Sequence, residues 1–410
     1  MLTGSETELF ADEESKIAQV NSLKRSPITI SSRYERLEDA ARHIIHISYE
    51  KEEKLYEKDV FFEISGEQIP CPPNSDDFAV IATIFFAMKS GRDLVVQGQV
   101  SASLLANLEE FQEAWRMLAP EKYQVVSIIA ASVTTTESSH DLESKPSVIA
   151  FSGGVDATFT LLRHSKKLAG FRTTKPLGGI LIHGFDIPLQ SEAAFAMAKS
   201  NAKIILDILE LPLITVRTNW REICSDWETQ YVSGLSACLN LFSEIARFGL
   251  FGSDEDYANF VLPWASNPVT NHLLSSDSFR IVTDGAGYTR TEKVDLIGRF
   301  PEVSKKLRVC WEGKNGDNCG HCEKCVRTAL NFMATGASPP PSLIQSLDFR
   351  TMLKFRVKNP VQLYFIKDIL VFAKKNNRST VPVNKLDLLF KLSRIYLLIR
   401  TSARRLLKNI

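Results

Sequence analysis

Two groups of residues in this chain have types and spacings that could do chemistry. The first is Ser152-Gly153-Gly154-Val155-Asp156-Ala157-Thr158. The run Ser147 to Phe151 ahead of it reads as a buried strand, and Phe159 to Ala169 behind it reads as a helix. A glycine pair at such a junction lets backbone N–H groups close around an anion, and the helix N-terminus adds a partial positive charge. Ser152 and Thr158 offer hydroxyls. Asp156 could hold magnesium or orient the loop. The segment has neither the Gly-Lys-Ser/Thr ending of a Walker loop nor the Gly-x-Gly-x-x-Gly of dinucleotide folds. It reads as a phosphate cradle of another kind.

The second group is Cys310-x8-Cys319-Gly-His-Cys322-Glu-Lys-Cys325. Two Cys-x2-Cys steps share Cys322 and can set three thiolates around one ion, with Cys310 reaching back as the fourth. Four sulfurs suit tetrahedral zinc in a closed, structural site. Gly320 provides the tight turn between ligands, and His321 is a bystander because four cysteines fill the shell. An iron–sulfur cluster is the competing chemistry. The spacing and the lack of any redox partner motif favour zinc. The remaining three of the seven cysteines, Cys71, Cys224 and Cys238, are scattered and read as packing residues.

The elements that must position these groups follow from the pattern around them. At 410 residues, two or three domains are expected. Hydrophobic content of 44% and charged content of 24% are those of a globular protein. A net charge of +1 gives no field favouring nucleic acid or a membrane. No apolar run approaches bilayer length, and Met1 to Lys16 lacks the basic-then-apolar order of a signal peptide. A cytoplasmic protein without membrane contact is therefore expected.

Residues 1–30 are polar, with an expected mobile start. Between Tyr34 and Val133 the pattern predicts strands at 59–64, 93–97 and 123–131 and helices at 76–89 and 103–117. The polar stretch 134–145 reads as a linker. Beyond it strands and helices alternate, with strands at 147–151, 179–185, 213–217, 250–253 and 279–283 and helices at 191–209 and 232–248. Such alternation predicts an α/β fold with a parallel sheet, helices on both faces and a ligand at the carboxyl ends of the strands. The loops to watch are Ser152–Asp156, His183–Asp186, Thr218–Trp220, Ser253–Asp256 and Asp284–Tyr288. Helices follow at 361–374 and 385–408. The expected division is an α+β accessory domain over 1–145, a nucleotide domain carrying the cysteines over 146–335, and a helical region over 336–410.

The loop Ser152 to Thr158 resembles the signature of the PP-loop ATP pyrophosphatase superfamily, which cleaves ATP between the α and β phosphates. Together with the C-x8-C-G-x-C-x2-C cluster it is similar to 7-cyano-7-deazaguanine synthase. Thr289-Arg290-Thr291-Glu292-Lys293-Val294 resembles that family's Thr-Lys-x-Glu-Ile stretch. The likeness covers roughly residues 146–330. It implies an adenine nucleotide alpha hydrolase-like core with a four-cysteine zinc knuckle, with ATP, magnesium and zinc as cofactors. It also implies activation of a carboxylate on a 7-deazaguanine-type base, with ammonia or an amine as acceptor.

The chain departs from the family where Ala157 replaces the usual Ser, and in its long flanking regions. Those departures point to a divergent relative in a defence or modification cassette.

On this reading the nucleotide is held by Ser152, Gly153, Gly154, Val155, Asp156, Ala157 and Thr158, with Asp254 nearby. His183 borders the adenine or acts as a base. Arg290 and Lys293 neutralise the leaving pyrophosphate or bind the substrate carboxylate, and with Asp156 they are the candidate catalytic residues. Cys310, Cys319, Cys322 and Cys325 hold zinc. A homo-oligomer is expected, and a protein partner could engage the N-terminal domain or the C-terminal helix. Two rival functions stand beside this one: nucleic-acid modification of the tRNA thiolation type, with Cys224 or Cys238 as relay, and a nucleotide-binding scaffold in a multi-protein defence system.

Overall fold

This computed structural model describes residues 25–135, 145–310, 313, 317–343 and 359–408, with side chains described as far as 399. The first 24 residues and the core of the expected linker, 136–144, lie outside the described residues.

The architecture is α/β, built on one large and mostly parallel sheet. Its strands are β1 (Ile28–Arg36), β2 (Ala40–Lys51), β3 (Lys54–Gly66), β4 (Leu94–Ser101), β5 (Ile128–Thr134), β6 (Pro146–Ala150), β7 (Lys175–His183), β8 (Leu213–Thr218), β9 (Phe248–Gly252) and β10 (Arg280–Asp284). They lie in the order β10-β9-β6-β7-β8-β3-β2-β1-β4-β5. The helices are α1 (Asp77–Ser90), α2 (Ala102–Leu118), α3 (Val155–Ser165), α4 (Glu192–Ile208), α5 (Trp227–Asn240), α6 (Arg290–Gly298), the single turn α7 (Pro301–Ser304), α8 (Glu323–Thr335), α9 (Pro360–Lys375) and α10 (Val383–Lys408).

Five consecutive parallel strands, β6 to β10, carry the second half of the sheet. Taken in chain order they lie as third, second, first, fourth, fifth. The order reverses between β6 and β9, and a crevice opens at such a switch point beyond the carboxyl ends of the strands. The Ser152 loop leaves β6 there, and the Ser253–Asp256 loop leaves β9. Close packing holds the two together. A Cβ on Gly252 would come within 2.5 Å of the Asp156 backbone, so only glycine lets β9 run this near the start of α3.

The first half of the sheet joins antiparallel through β3 and β8, with Phe62 opposite Thr218 and Gly66 opposite Ile214. Asn219 locks the junction: its Oδ1 accepts from Phe61 N at 2.9 Å and its Nδ2 donates to Asp59 O at 3.0 Å. One apolar core then runs from Ile28 and Phe62 through Trp115 and Trp220 to Phe279 and Ile281. A second core on the opposite side joins Ile149, Phe151, Leu162 and Leu206 to Val294, Phe332, Cys310 and Cys325.

Several element boundaries differ from those expected. Helix α3 begins at Val155, four residues before Phe159, because its start is set by backbone geometry (Gly153 at φ +77°) rather than by apolar spacing. Helix α5 spans Trp227–Asn240 instead of 232–248. Gln230 Oε1 accepts from Ser225 N and Asp226 N and so fixes its first turn. Strand β5 starts at Ile128, not 123. Tyr123 instead packs against Phe85 and Trp115 and places its hydroxyl 2.5 Å from Thr229 Oγ1. No described helix is long and apolar enough to cross a membrane.

Candidate functional site

The glycine turn is built by β6 and α3. Gly154 caps the helix in an extended conformation, and Ser152 Oγ lies 3.4 Å from Gly154 N. Gly153 O accepts from Arg308 N at 2.9 Å, so the segment ahead of the cysteines lies directly across the turn. Ser152 is exposed, whereas Val155 and Ala157 are buried in the second core. Thr158 is fully buried, and its hydroxyl has no hydrogen-bond partner.

Asp156, Arg290 and Lys293 come together. Arg290 Nη1 donates to Asp156 Oδ2 at 2.5 Å, and Lys293 Nζ donates to Oδ1 at 3.0 Å and to Ser253 O at 2.6 Å. The local cause is the N-terminus of α6. Thr289 and Glu292 close a capping box, with Glu292 N donating to Thr289 Oγ1 at 3.3 Å and Thr289 N to Glu292 Oε2 at 2.8 Å. Positions 290 and 293 then share one face, a turn apart. Burial opposes ionisation of Asp156 most strongly, but the charges of Arg290 and Lys293 together outweigh it and hold the carboxyl below its usual range. With both oxygens engaged, Asp156 is a strut for two cations.

Two further carboxylates face the crevice. Asp254 Oδ2 accepts from Tyr231 Oη at 2.6 Å and from Trp264 Nε1 at 3.3 Å. Burial, and then the neighbouring charge of Asp156, raise its pKa. Asp186, just beyond β7, keeps its access to solvent. The protein crowding it nevertheless raises its carboxyl, against the charges of Arg308 and Lys324.

Sequence reasoning missed the cations on the opposite wall. Burial lowers the pKa of Arg308. Burial, followed by the charges of Arg290 and Arg327, lowers that of Lys324. Burial brings Arg327 down to about 10, with Glu323 opposing and Arg290 adding to the fall. Arg327 is 5% exposed; its Nε lies 3.1 Å from Glu323 Oε1 and its guanidinium sits 4.0 Å above the Phe365 ring. Neither Nε nor Nη1 makes a well-aligned hydrogen bond. Buried cations, two of them pressed down further by the charge of Arg290, are relieved by added negative charge, so this wall suits a polyanion. The available signal was local: Arg308 stands two residues before Cys310, and Lys324 and Arg327 flank Cys325.

The four cysteines converge. Their sulfurs all lie within 4.8 Å of one another, with Cys319 Sγ 3.9 Å from Cys325 Sγ, and none forms a disulfide. A tetrahedron of about 2.3 Å zinc–sulfur bonds has edges of about 3.8 Å, so the set fits zinc. Backbone N–H groups of Cys319 and Cys322 reach Cys310 Sγ and Cys319 Sγ at 3.1 and 3.2 Å. A hydrogen bond with Cys310, foremost, pushes the Cys322 thiol up to about 12, and a cation among the sulfurs would favour their thiolates. Gly320 makes the turn at φ +74°, and exposed His321 places its Nδ1 2.7 Å from Cys319 O, outside the sulfur cluster. Helix α8 starts within the knuckle, with Cys322 as its cap, and carries Lys324 and Arg327 into the crevice.

His183 lies apart from the Asp156 ion pairs. Its Nε2 is 3.0 Å from Pro188 O, and its ring stacks on Phe195 at 4.1 Å. Burial lowers its pKa despite the Pro188 carbonyl, so it is neutral at pH 7 and shapes the loop after β7. The C-terminal region reaches the site as well. Asp368 of α9 accepts from Thr291 N and Oγ1 at 3.1 and 2.6 Å, and Tyr364 Oη donates to Asp256 Oδ2 at 2.9 Å. No protein-family model, curated protein or solved structure matches this chain.

Proposed function

We propose that this protein is an ATP-dependent, AMP-forming enzyme of the PP-loop kind. It would activate a carboxylate, on a 7-deazaguanine-type base by the resemblance above, and pass it to ammonia or another amine. The observation that carries the reading is the meeting, at the switch point of the sheet, of a glycine turn capping a helix with a cluster of buried cations. Such a pair of features suits a group that gains negative charge as it leaves.

The roles follow from position. Backbone N–H groups of Gly153 and Gly154 and the α3 N-terminus face the pyrophosphate, and the orphaned hydroxyl of Thr158 is a further donor nearby. Arg290 and Lys293, set by Asp156, meet charge developing between the α and β phosphates. Arg308, Lys324 and Arg327 close the opposite side. A carboxylate oxygen of the substrate attacks the α phosphorus, the bond to the bridging oxygen breaks, and pyrophosphate departs. The amine then attacks the acyl carbon and AMP leaves. Magnesium, when bound, would neutralise phosphate oxygens; Asp254 and Asp186 are the acids suited to it, since Asp156 is already paired. The four-cysteine cluster supplies structure only. Phe365 and Tyr364 would help select the acceptor.

Two thiols weigh against the thiolation reading. Burial pushes Cys224 up to about 11 and Cys238 higher still, so neither presents a thiolate at neutral pH.

Gly153→Ala tests the cradle. A Cβ there has room, 3.7 Å from Arg308 Cβ, but φ +77° costs an L-residue about 1–2 kcal/mol. The variant is expected to fold while its affinity for magnesium-ATP by calorimetry falls at least about tenfold. Unchanged affinity would remove the glycine turn from the proposed site.

A further inference from the structure

The crevice lies at the carboxyl ends of the parallel strands. Their amino ends, at the other end of the sheet, carry a row of cations. Arg280 opens β10, Arg247 precedes β9, Lys145 precedes β6 and Lys175 opens β7. These four strands are neighbours in the order β10-β9-β6-β7. Backbone bonds tie the row together: Arg280 N donates to Arg247 O at 2.9 Å, Arg247 N to Pro146 O at 2.8 Å, and Lys175 N to Lys145 O at 2.9 Å. At about 4.8 Å between strands, the row spans about 14 Å. Arg247 is 6% exposed, and among the described residues its Nε and Nη1 have no hydrogen-bond partner. Burial and then the charge of Arg280 lower its pKa, with Asp277 opposing. A guanidinium so placed gains from an added anion.

The connection from α3 to β7 extends this positive surface. Four of the ten residues 166–175 are Lys or Arg and none is acidic, a concentration that the chain's net charge of +1 hides. Lys166, Lys167 and Arg172 are exposed. At the tip, the single 3₁₀ turn Gly170–Arg172 begins with Gly170 at φ +59° and leaves Phe171 99% exposed. Lys145 Nζ donates to Phe171 O at 3.0 Å, so this turn is fastened to the row. An aromatic ring that buries nothing, set beside a line of cations, has the make-up of a surface for single-stranded nucleic acid, in which cations follow the backbone and rings stack on bases. A flat lipid surface fits less well, because Arg247 is recessed and Leu168 is the one other exposed apolar side chain of residues 166–175.

We infer that the amino ends of β6, β7, β9 and β10, together with Phe171, bind single-stranded nucleic acid, the cations meeting successive phosphates and Phe171 stacking on a base. The surface faces away from the crevice and does not depend on the chemistry proposed there.

Fluorescence anisotropy of the full chain with labelled uridine RNA and thymidine DNA single strands of about 20 nucleotides tests the inference. Both should bind with a dissociation constant on the order of micromolar at about 50 mM salt, with a log–log salt slope of about −3 for four neutralised phosphates. Phe171→Ala should weaken binding at least about fivefold and leave the melting temperature unchanged, because the ring is exposed. Lys175→Gln with Arg280→Gln should make the slope shallower by about 1.4. Lys324→Gln, in the crevice, should bind like the wild type. A wild type that binds neither strand overturns the proposal, as does Phe171→Ala binding at full strength. Loss of binding in Lys324→Gln but not in Phe171→Ala would move the polyanion to the crevice and also overturn it. So would a chain that ignores both strands and binds phosphatidylserine vesicles through Phe171.

Discussion

Cys319→Ser is expected to lower the melting temperature by more than about 10 °C and to abolish ATP binding at the same time. The stability effect follows from where the cluster sits. Cys310 and Cys325 are buried in the same core as Leu162, Val294 and Phe332, and Leu343 packs in from beyond the knuckle. A structural zinc site contributes folding free energy outright, on the order of 10 kcal/mol in small domains. Three sulfurs left without a closed shell hold the ion poorly, and thiols crowded in a core pack badly. The binding effect follows from α8. Its first turn is part of the knuckle and carries Lys324, and the next turn carries Arg327. Metal analysis should return about one zinc per chain for the wild type and a fraction of that for the variant. A Cys319→Ser protein that melts like the wild type would mean the cluster is not a structural metal site.

Asp156→Asn is expected to reduce AMP formation on the order of 10³-fold and also to destabilise the protein. Read from sequence alone, Asp156 holds magnesium or orients the loop, so Asp156→Ala is expected to abolish AMP formation and leave the fold intact. The ion pairs change that expectation. Lys293 is 1% exposed, and its ammonium is held by Asp156 and by the carbonyl of Ser253. Taking away one partner of a buried pair costs about 3–5 kcal/mol, less here because Asp156 keeps some contact with water. The sign of the pH effect follows from the lowered pKa of Asp156. Its contribution is fully present above the ordinary carboxylate value of 3.8 and is lost as pH falls through the lower folded value. Wild type and Asp156→Asn should therefore differ most near neutrality and converge in strong acid. A constant gap between their unfolding free energies down to that range would show that the carboxylate charge is not what holds Lys293.

What could be read in advance was local. The glycine turn, the cysteine spacing and the five strands around them depend on short stretches of chain, and those elements fell close to where their residues pointed. The capping box at Thr289 was equally local. It brought Arg290 and Lys293 to one face, but only the close approach of β9 to α3 at Gly252 shows that this face meets Asp156. The opposite wall was hidden for the same reason. Arg308, Lys324 and Arg327 carry no motif, and their proximity to Asp186 and Arg290 is created by the knuckle folding back across the turn. Nor did spacing reveal the antiparallel seam between β3 and β8, since β1 and β2 alternate only weakly and the register is fixed by Asn219, 158 residues from Phe61 in the chain. Tyr123 shows the opposite error, in which a run of apolar residues mimicked a strand because its aromatic ring is drawn into the core.

The proposed chemistry requires cleavage of ATP between the α and β phosphates. The direct measurement is product analysis with ATP labelled at the α phosphate, magnesium, a 7-carboxy-7-deazaguanine probe and an ammonium salt. Labelled AMP and an equal amount of pyrophosphate are predicted, both dependent on the carboxylate and both lost in Asp156→Asn. Labelled ADP, or no turnover by a zinc-loaded protein that binds ATP, would contradict it; the second result would instead favour a nucleotide-binding scaffold.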